Sequence, residues 1–256
     1  MPWRFDFATR RFESGHEGAG AERADGLSRR KQDFLGLLSH ELRNPLSAIG
    51  VALAVMRSRD SPEVGQHARR VIERQVAHIS RLVDDMVDTA RIERGTLSLQ
   101  FETVDVREVL AMAVDMAEPS VAARRQDLVW QPSSEPMFVT GDRVRLQQVF
   151  SNLLLNASKY TPDRGRIELL TCRAESDFCV VVRDSGRGIP PEDHARVFEP
   201  FVRTSSDEPG LGVGLYVART LVEQHGGVIG VASGGSHAGT TFTVRLPELS
   251  PLLRRL

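Results

Sequence analysis

His40 is the residue in the N-terminal part of the chain whose type and neighbours most clearly suggest a chemical role. It lies in the run FLGLLSHELRNPL over Phe34–Leu46. A neutral imidazole nitrogen can attack phosphorus, and the carboxylate of Glu41 stands beside it in the sequence. Asn44 at i+4 shares the helix face of His40, whereas Glu41 at i+1 is turned by about 100° around the helix. A single helical histidine is more often an ordinary surface residue, so a phosphate-accepting role depends on motifs farther along the chain.

Two amide side chains farther along could hold a magnesium ion. Asn152 and Asn156 are spaced i and i+4 on one predicted helix, so they share a face. Magnesium prefers hard oxygen ligands, and amide oxygens supply them without adding negative charge beside phosphates. Alone, such a pair is better explained as two surface amides of a helix.

Two glycine-containing segments are suited to binding a nucleotide. Asp184, Gly186 and Gly188 follow an apolar strand, and the glycines would let the backbone approach a flat ligand closely. Three further glycines at alternate positions precede a predicted helix, whose first backbone N–H groups favour anionic phosphates. These three are Gly210, Gly212 and Gly214.

Two amphipathic helices must position His40. Apolar residues recur at spacings of three and four over 29–56 and again over 72–90, and Pro62 and Gly65 interrupt the pattern between them. We therefore predict a helical hairpin over 29–95 with His40 outside its apolar stripe. One hairpin cannot cover both apolar seams, so a homodimeric four-helix bundle is expected. His78 lies near the second stripe without an acidic neighbour at i+1, which favours a structural role.

A second domain is predicted over 96–248, where short strands alternate with helices. The pattern indicates an α/β sandwich, so the fold class of the whole chain is α+β. Residues 1–28 are expected to form a mobile leader and 249–256 a tail, and Thr204–Pro209 is the segment most typical of a mobile loop. The predicted strands are 97–103, 127–131, 167–171, 178–182, 228–233 and 241–246, and the predicted helices are 106–123, 143–158 and 215–224.

Composition narrows the class of protein. The 256 residues can bury the cores of about two domains, and a net charge of −1 gives no basic excess for a nucleic acid partner. No run approaches the roughly 18 apolar residues of a membrane span, and the N-terminus lacks a secretory pattern, so a cytoplasmic protein is expected. Cys172 and Cys179 have too few companions for a metal site, and both are predicted to be buried thiols.

Taken in order, the motifs over Arg29–Pro247 resemble those of a bacterial two-component sensor histidine kinase. The resemblance implies a dimerisation and histidine-phosphotransfer hairpin followed by an ATP-binding domain of the GHKL type. It implies that His40 accepts the phosphoryl group and that Glu41 takes or orients the ring proton. It also makes Asn156 the principal magnesium ligand, with Asn152 assisting.

The same resemblance assigns the nucleotide contacts. Asp184 would accept a hydrogen bond from the adenine amino group, which favours ATP over GTP because guanine presents a carbonyl oxygen there. Lys159 would contact a phosphate, and Thr240 would line the adenine pocket. The remaining contacts implied by the motifs are Tyr160, Phe198 and Leu215.

These implications predict ATP-dependent phosphorylation of His40 and transfer to an aspartate of a separate response regulator. Hydrolytic members of the GHKL group carry a glutamate base where this chain has Asn152, which disfavours attack by water. A regulator phosphatase with Asn44 positioning water is also compatible with the H-E-x-x-N pattern. The alternative from another class is a non-catalytic, ATP-binding dimeric scaffold that regulates another kinase.

Overall fold

A long helical hairpin forms the N-terminal domain of the protein. The computed structural model describes residues 20–57, 62–174, 176–203, 210–235 and 238–249. Helix α1 spans Gly20–Arg57 and helix α2 spans Pro62–Glu93. Helix α1 therefore begins upstream of the predicted boundary at residue 29, and α2 begins inside the predicted break. Proline is well tolerated in the first turn of a helix, where its missing N–H costs no intrahelical hydrogen bond.

The hairpin buries one apolar face and leaves another exposed. Ala52, Ala68 and Leu82 are buried, whereas Leu46 and Val51 remain 58% and 66% exposed. None of the helices in the described ranges is long and apolar enough to cross a membrane. Other large apolar side chains exposed on the hairpin are Leu53, Met56, Val64, Val76, Val83 and Val87.

The second domain is a layer of helices on a mixed sheet. Helices α3 (Val106–Ala123), α4 (Arg143–Tyr160) and α5 (Gly214–Gln224) form the helical layer. The five-stranded sheet has the order β2-β4-β5-β7-β6, with β2 parallel to β4 and the other pairs antiparallel. Its strands are β2 Asp127–Trp130, β4 Arg166–Ala174, β5 Asp177–Asp184, β6 Val228–Ser233 and β7 Thr240–Pro247.

A small second sheet closes the end of this domain. Strands β1 (Glu102–Asp105) and β3 (Phe138–Gly141) pair antiparallel beside the starts of α3 and α4. Asp105 caps α3 by accepting from the backbone N–H of Arg107, and Asp142 caps α4 by accepting from that of Arg145. Aspartate is among the preferred N-cap residues because its side chain satisfies a backbone donor that the helix leaves free.

Most of the predicted elements are confirmed, and the main errors lie where strands are short. The fold class is confirmed, α3 has the predicted bounds, and α4 and β5 extend slightly beyond the predicted segments. The predicted strand over 97–103 is wrong, since the chain becomes a strand only at Glu102, and β3 was not predicted. Burial of Cys179 is confirmed, whereas Cys172 is exposed because the second half of β4 runs beyond the core. The loop over 204–209, residues 1–19 of the leader and residues 250–256 of the tail lie outside the described residues.

Candidate functional site

Helix α4 presents its polar side chains to a cavity because its apolar side chains fill the core. Phe150, Leu153 and Leu154 are buried against the sheet, while Asn152 and Asn156 face the cavity. The Asn152 amide donates to the carbonyl oxygen of Gly214 at 3.3 Å, which leaves its own oxygen available. Among the described residues, the Asn156 amide has no hydrogen-bond partner. Both oxygens can therefore serve a ligand.

The cavity gathers nearly all of the predicted cofactor-binding residues. It lies between α4, the end of β5, the start of α5 and one face of α2. Gly186 and Phe198 are the two that do not line it. The predicted residues that do are Asn152, Asn156, Lys159, Tyr160, Asp184, Gly188, Gly210, Gly212, Gly214, Leu215 and Thr240.

Asp184 is held at the end of β5 with one carboxylate oxygen engaged. Oδ1 accepts from the backbone N–H of Gly186 at 2.8 Å and from that of Thr240 at 3.2 Å. Burial raises the pKa of Asp184 above its usual value, and the two backbone N–H groups act in the opposite direction. Among the described residues, Oδ2 receives no hydrogen bond, so this oxygen is free to accept from a ligand.

The glycines beside Asp184 are required by the protein's own packing. A Cβ at Gly186 would overlap the carbonyl oxygen of Tyr160, and one at Gly188 would overlap that of Gly235. Gly188 also has a φ of +75°, a conformation that favours glycine. Close approach to a ligand, the reason expected from the sequence, is therefore not needed to explain these two positions.

The start of α5 is open to an anion. Its N-cap residue is Val213, which provides no side-chain hydrogen bond to the first N–H groups of the helix. Backbone donors at a helix start are favourable partners for phosphate. A Cβ at Gly214 would lie 3.6 Å from the Asn152 amide nitrogen, which is ordinary contact, so both segments border the same space.

Cationic and aromatic side chains line the same part of the cavity. The Lys159 ammonium donates to the Tyr160 hydroxyl at 2.8 Å, and the Arg187 guanidinium lies 4.6 Å from the centre of the Tyr160 ring. A Cβ at Gly210 would lie 3.4 Å from the Lys159 nitrogen. Positive charge therefore adjoins the glycine segment that leads to α5. Arg187 was not predicted as a site residue, although it stands between the two glycines of the D-x-G-x-G motif.

Phe198 supports the cavity from behind. It is buried, and its ring packs edge-on against Phe242 with 6.2 Å between centroids. Phe242 lines the cavity, as does Val197. Phe198 therefore supports Phe242, which lines the cavity, and does not itself line the cavity.

Helix α2 contributes a wall that sequence reasoning missed. His78, Arg81, Leu82 and Asp85 all line the cavity. Burial lowers the pKa of His78, and the positive charge of Arg81 lowers it further, whereas Glu41 acts in the opposite direction. Helical periodicity identifies the buried stripe of α2 but not the face that meets another domain, so no sequence signal marked these residues.

The ends of the glycine segment pack against the hairpin. Leu211 and Val213 are buried with Leu82 in one apolar cluster. Leu38 and Leu42, which flank His40 in the sequence, pack against that cluster. The second domain is therefore docked beside the part of α1 that carries His40.

His40 and Asn44 are both exposed on α1, while Glu41 between them is 7% exposed. Adjacent residues of a helix point about 100° apart, which explains why Glu41 can be buried while His40 is exposed. His40, Glu41 and Asn44 do not line the cavity. The two groups of predicted site residues thus lie on separate domains.

Comparisons with known proteins agree with this division. Residues 30–95 match the His Kinase A (phospho-acceptor) domain, and residues 141–250 match the family described as histidine kinase-, DNA gyrase B- and HSP90-like ATPases. The chain belongs to the sensor histidine kinases. Both matched ranges have the predicted order, with the phosphoacceptor hairpin first.

Individual relatives of this histidine kinase cover most of its length. Sensor protein DivL of Caulobacter vibrioides is 33% identical over 236 residues, 91% of this chain and 30% of DivL. The signal transduction histidine-protein kinase/phosphatase MprB of Mycobacterium sp. is 34% identical over 221 residues, 81% of this chain and 42% of MprB. The chain thus spans less than half the length of these relatives.

Solved structures share the fold. Full-length ShkA in complex with AMPPNP is 28% identical, with a TM-score of 0.61 over 84% of this chain and 45% of that one. Histidine kinase ThkA in complex with response regulator protein TrrA is 24% identical, with a TM-score of 0.57 over 93% of this chain and 68% of that one.

The donor set of the kinase cavity fits a magnesium ion held jointly with phosphates. The described residues contain no group of three His, Cys, Asp or Glu side chains that could hold a metal by themselves. Asn152 and Asn156 supply neutral oxygens, so most of the coordination would come from phosphate and water. Magnesium commonly binds in this way at nucleotide sites.

Asp85, a half-buried carboxylate on α2, gives a test of the cavity wall that this helix forms. Burial, together with the charges of Asp88 and Asp84, raises the pKa of Asp85 to about 6, while the positive charge of Arg81 acts in the opposite direction. A pKa that is higher in the folded than in the unfolded state means that stability is lost as pH rises through that value. As the pH rises from 4 to 7, we expect the free energy of unfolding of Asp85→Asn to increase by about 1–3 kcal/mol relative to that of wild type.

Thermal unfolding of both proteins at half-unit pH steps would measure this change. Asp115→Asn is the control because Asp115 is an exposed helical aspartate, on α3, and is not among the charges that raise the pKa of Asp85. A difference between Asp85→Asn and wild type that does not vary with pH would contradict the prediction.

Proposed function

We propose that this chain transfers the γ-phosphoryl group of ATP to His40 and then to an aspartate of a separate response regulator. The supporting observation is that a cavity with a hydrogen-bond acceptor for adenine and donors for phosphates is docked beside the helix that exposes His40. An imidazole nitrogen of His40 forms the new N–P bond while the bond between the γ-phosphorus and ADP breaks. Glu41 takes or orients the proton that the ring releases.

The cavity supports ATP as the donor. The free oxygen of Asp184 accepts from the adenine amino group, and the start of α5 and Lys159 receive the phosphates. AMPPNP, which ShkA binds, carries both kinds of group. Bound magnesium would neutralise charge on the transferring phosphoryl group, and Asn156 and Asn152 are its proposed protein ligands.

A second copy of the chain is the proposed cover for the exposed apolar face of the hairpin. Val51 and Val76 are at least half exposed, and apolar side chains lie along both helices. A four-helix bundle of two hairpins would bury them, as predicted from the sequence. The phosphorylated His40 would then be presented on the outside of the bundle to a response regulator, the kind of partner bound by ThkA. A cytoplasmic location stays a prediction.

The adenine contact can be tested by Asp184→Asn. Oδ1 would remain the acceptor for Gly186 and Thr240, so the new amide nitrogen would take the place of Oδ2 and present a donor to the adenine amino group. We expect ATP binding to weaken by about 1.5–3 kcal/mol, the range for a hydrogen bond to a charged group. Calorimetry would measure it, with Asp177→Asn at the opposite end of β5 as control. Equal affinities of the two variants would remove Asp184 from the adenine contact.

The phosphoacceptor can be tested by His40→Gln. The nucleophile and the cavity lie on separate domains, so this variant should bind ATP as wild type does and acquire no acid-labile phosphate. The control is His67→Gln, which changes an exposed histidine on α2. Label from γ-labelled ATP that persists on His40→Gln would place the acceptor elsewhere. Absence of label on the wild type would instead favour the non-catalytic scaffold.

Phosphatase activity is a second candidate, because Asn44 is exposed one turn from His40. MprB is named as both kinase and phosphatase. We predict that Asn44→Ala slows dephosphorylation of the regulator more than it slows phosphorylation of His40, since only the former needs an amide to hold water.

The decay of a chemically phosphorylated regulator, mixed with kinase and ADP, would measure the effect of Asn44→Ala. Ser47→Ala is the control because Ser47 is also exposed on α1. Equal decay with both variants would leave Asn44 without a role in dephosphorylation.

A further inference from the structure

A partly buried network of three side chains joins the hairpin to the ATP-binding domain. The Asp88 carboxylate of α2 is 3% exposed, and its Oδ2 accepts from Arg145 Nη1 at 2.6 Å and from Gln148 Nε2 at 2.7 Å. Arg145 Nη1 also donates to Gln148 Oε1 at 2.8 Å. The three side chains therefore form a closed triangle between α2 and the first turns of α4. We call it the interdomain triangle.

The triangle lies on the same face of α4 as the proposed metal ligands. Gln148, Asn152 and Asn156 are spaced four residues apart, so they follow one another along the helix. Four residues, about 6 Å along the helix axis, separate Gln148 from Asn152. Because α4 is a rigid element, a contact that fixes its first turns against α2 also fixes the two amides relative to the hairpin.

The covalent connection between the domains reaches the same end of α4. The backbone N–H of Gln100, in the segment that follows α2, donates to Asp142 Oδ2 at 2.9 Å. Asp142 Oδ1 caps α4, and the Asp142 N–H donates to His225 Nε2 at 2.9 Å. The linker, the helix cap and the interdomain triangle thus meet in one place. Movement of the ATP-binding domain on the hairpin would pivot there.

The chemistry of the triangle points to positioning more than to stability. Removing a carboxylate and a guanidinium from water costs several kcal/mol per ion, and apolar residues of similar size hold two surfaces together equally well. A charged pair with an added amide differs from an apolar contact in its directionality. Its hydrogen bonds form only at particular distances and angles, so they stabilise one arrangement of the two helices over others.

We propose that Asp88 and Arg145, supported by Gln148, are positioning residues that set the reach of the bound nucleotide to His40. This inference rests on the proposed kinase function. Positional errors of about 1 Å can cost up to a hundredfold in rate when two reacting groups must be aligned. Since Asp88 and Arg145 do not line the cavity, their loss should alter the rate of transfer and not the binding of ATP.

The test is the rate of His40 phosphorylation in the full chain as a function of ATP concentration. Asp88→Asn and Arg145→Gln should each lower kcat at least tenfold and leave KM within twofold of wild type. The double variant should be no slower than the slower single variant, because both act through one contact. Arg145→Gln lies in the other domain, so it carries the test if Asp88→Asn does not fold, as judged by circular dichroism.

The matched control is Glu108→Gln. Arg143, also in the first turn of α4, donates to Glu108 of α3 at 2.7 Å, so this variant removes a similar contact within one domain. Its kcat should equal that of wild type. A folded Asp88→Asn or Arg145→Gln variant with unchanged or higher kcat, or with a raised KM alone, would overturn the proposal. An unphosphorylated wild type would instead contradict the kinase function itself.

Discussion

The packing of α4 is the constraint on which the rest of the site depends. Its apolar face, formed by residues such as Phe150 and Leu153, is completely buried against the sheet. That burial leaves the helix only one orientation, in which Asn152 and Asn156 face the cavity. Apolar burial is non-directional and worth about 25 cal/mol per Å², yet here it determines the direction in which polar side chains point. The strand register then places Asp184 beside Thr240 across β5 and β7, which completes the opposite wall.

Electrostatics distinguish the two sides of the cavity. The ATP-binding domain supplies Lys159, Arg187 and the start of α5, all favourable to phosphate. The hairpin supplies Arg81 but also Asp85, whose pKa is raised by its burial. Because burial penalises the charged form, ionised Asp85 stabilises the docked arrangement less than protonated Asp85 does. The docked position of the domain and the charge within the cavity are therefore coupled.

The sequence predicted the second domain well because its signals are local. Alternation and helical spacing located α3, α4 and most strands, and the order of the motifs led to residues that mostly line one cavity. It missed β3, whose four residues carry too little pattern, and it predicted a strand where Leu97 and Leu99 belong to a linker without secondary structure that packs on the core. It also missed the wall formed by Arg81 and Asp85. Contacts between domains depend on the relative placement of two surfaces, and no short-range pattern encodes that placement.

In the proposed reaction, a ring nitrogen of His40 receives the phosphoryl group from ATP bound in the other domain. Peptide mapping by mass spectrometry under neutral conditions, after incubation with ATP and magnesium, tests it most directly. We expect one added phosphoryl group on the peptide that contains His40, stable in base and lost in acid. An unmodified His40 peptide, or phosphate on a serine, threonine or other histidine, would contradict it.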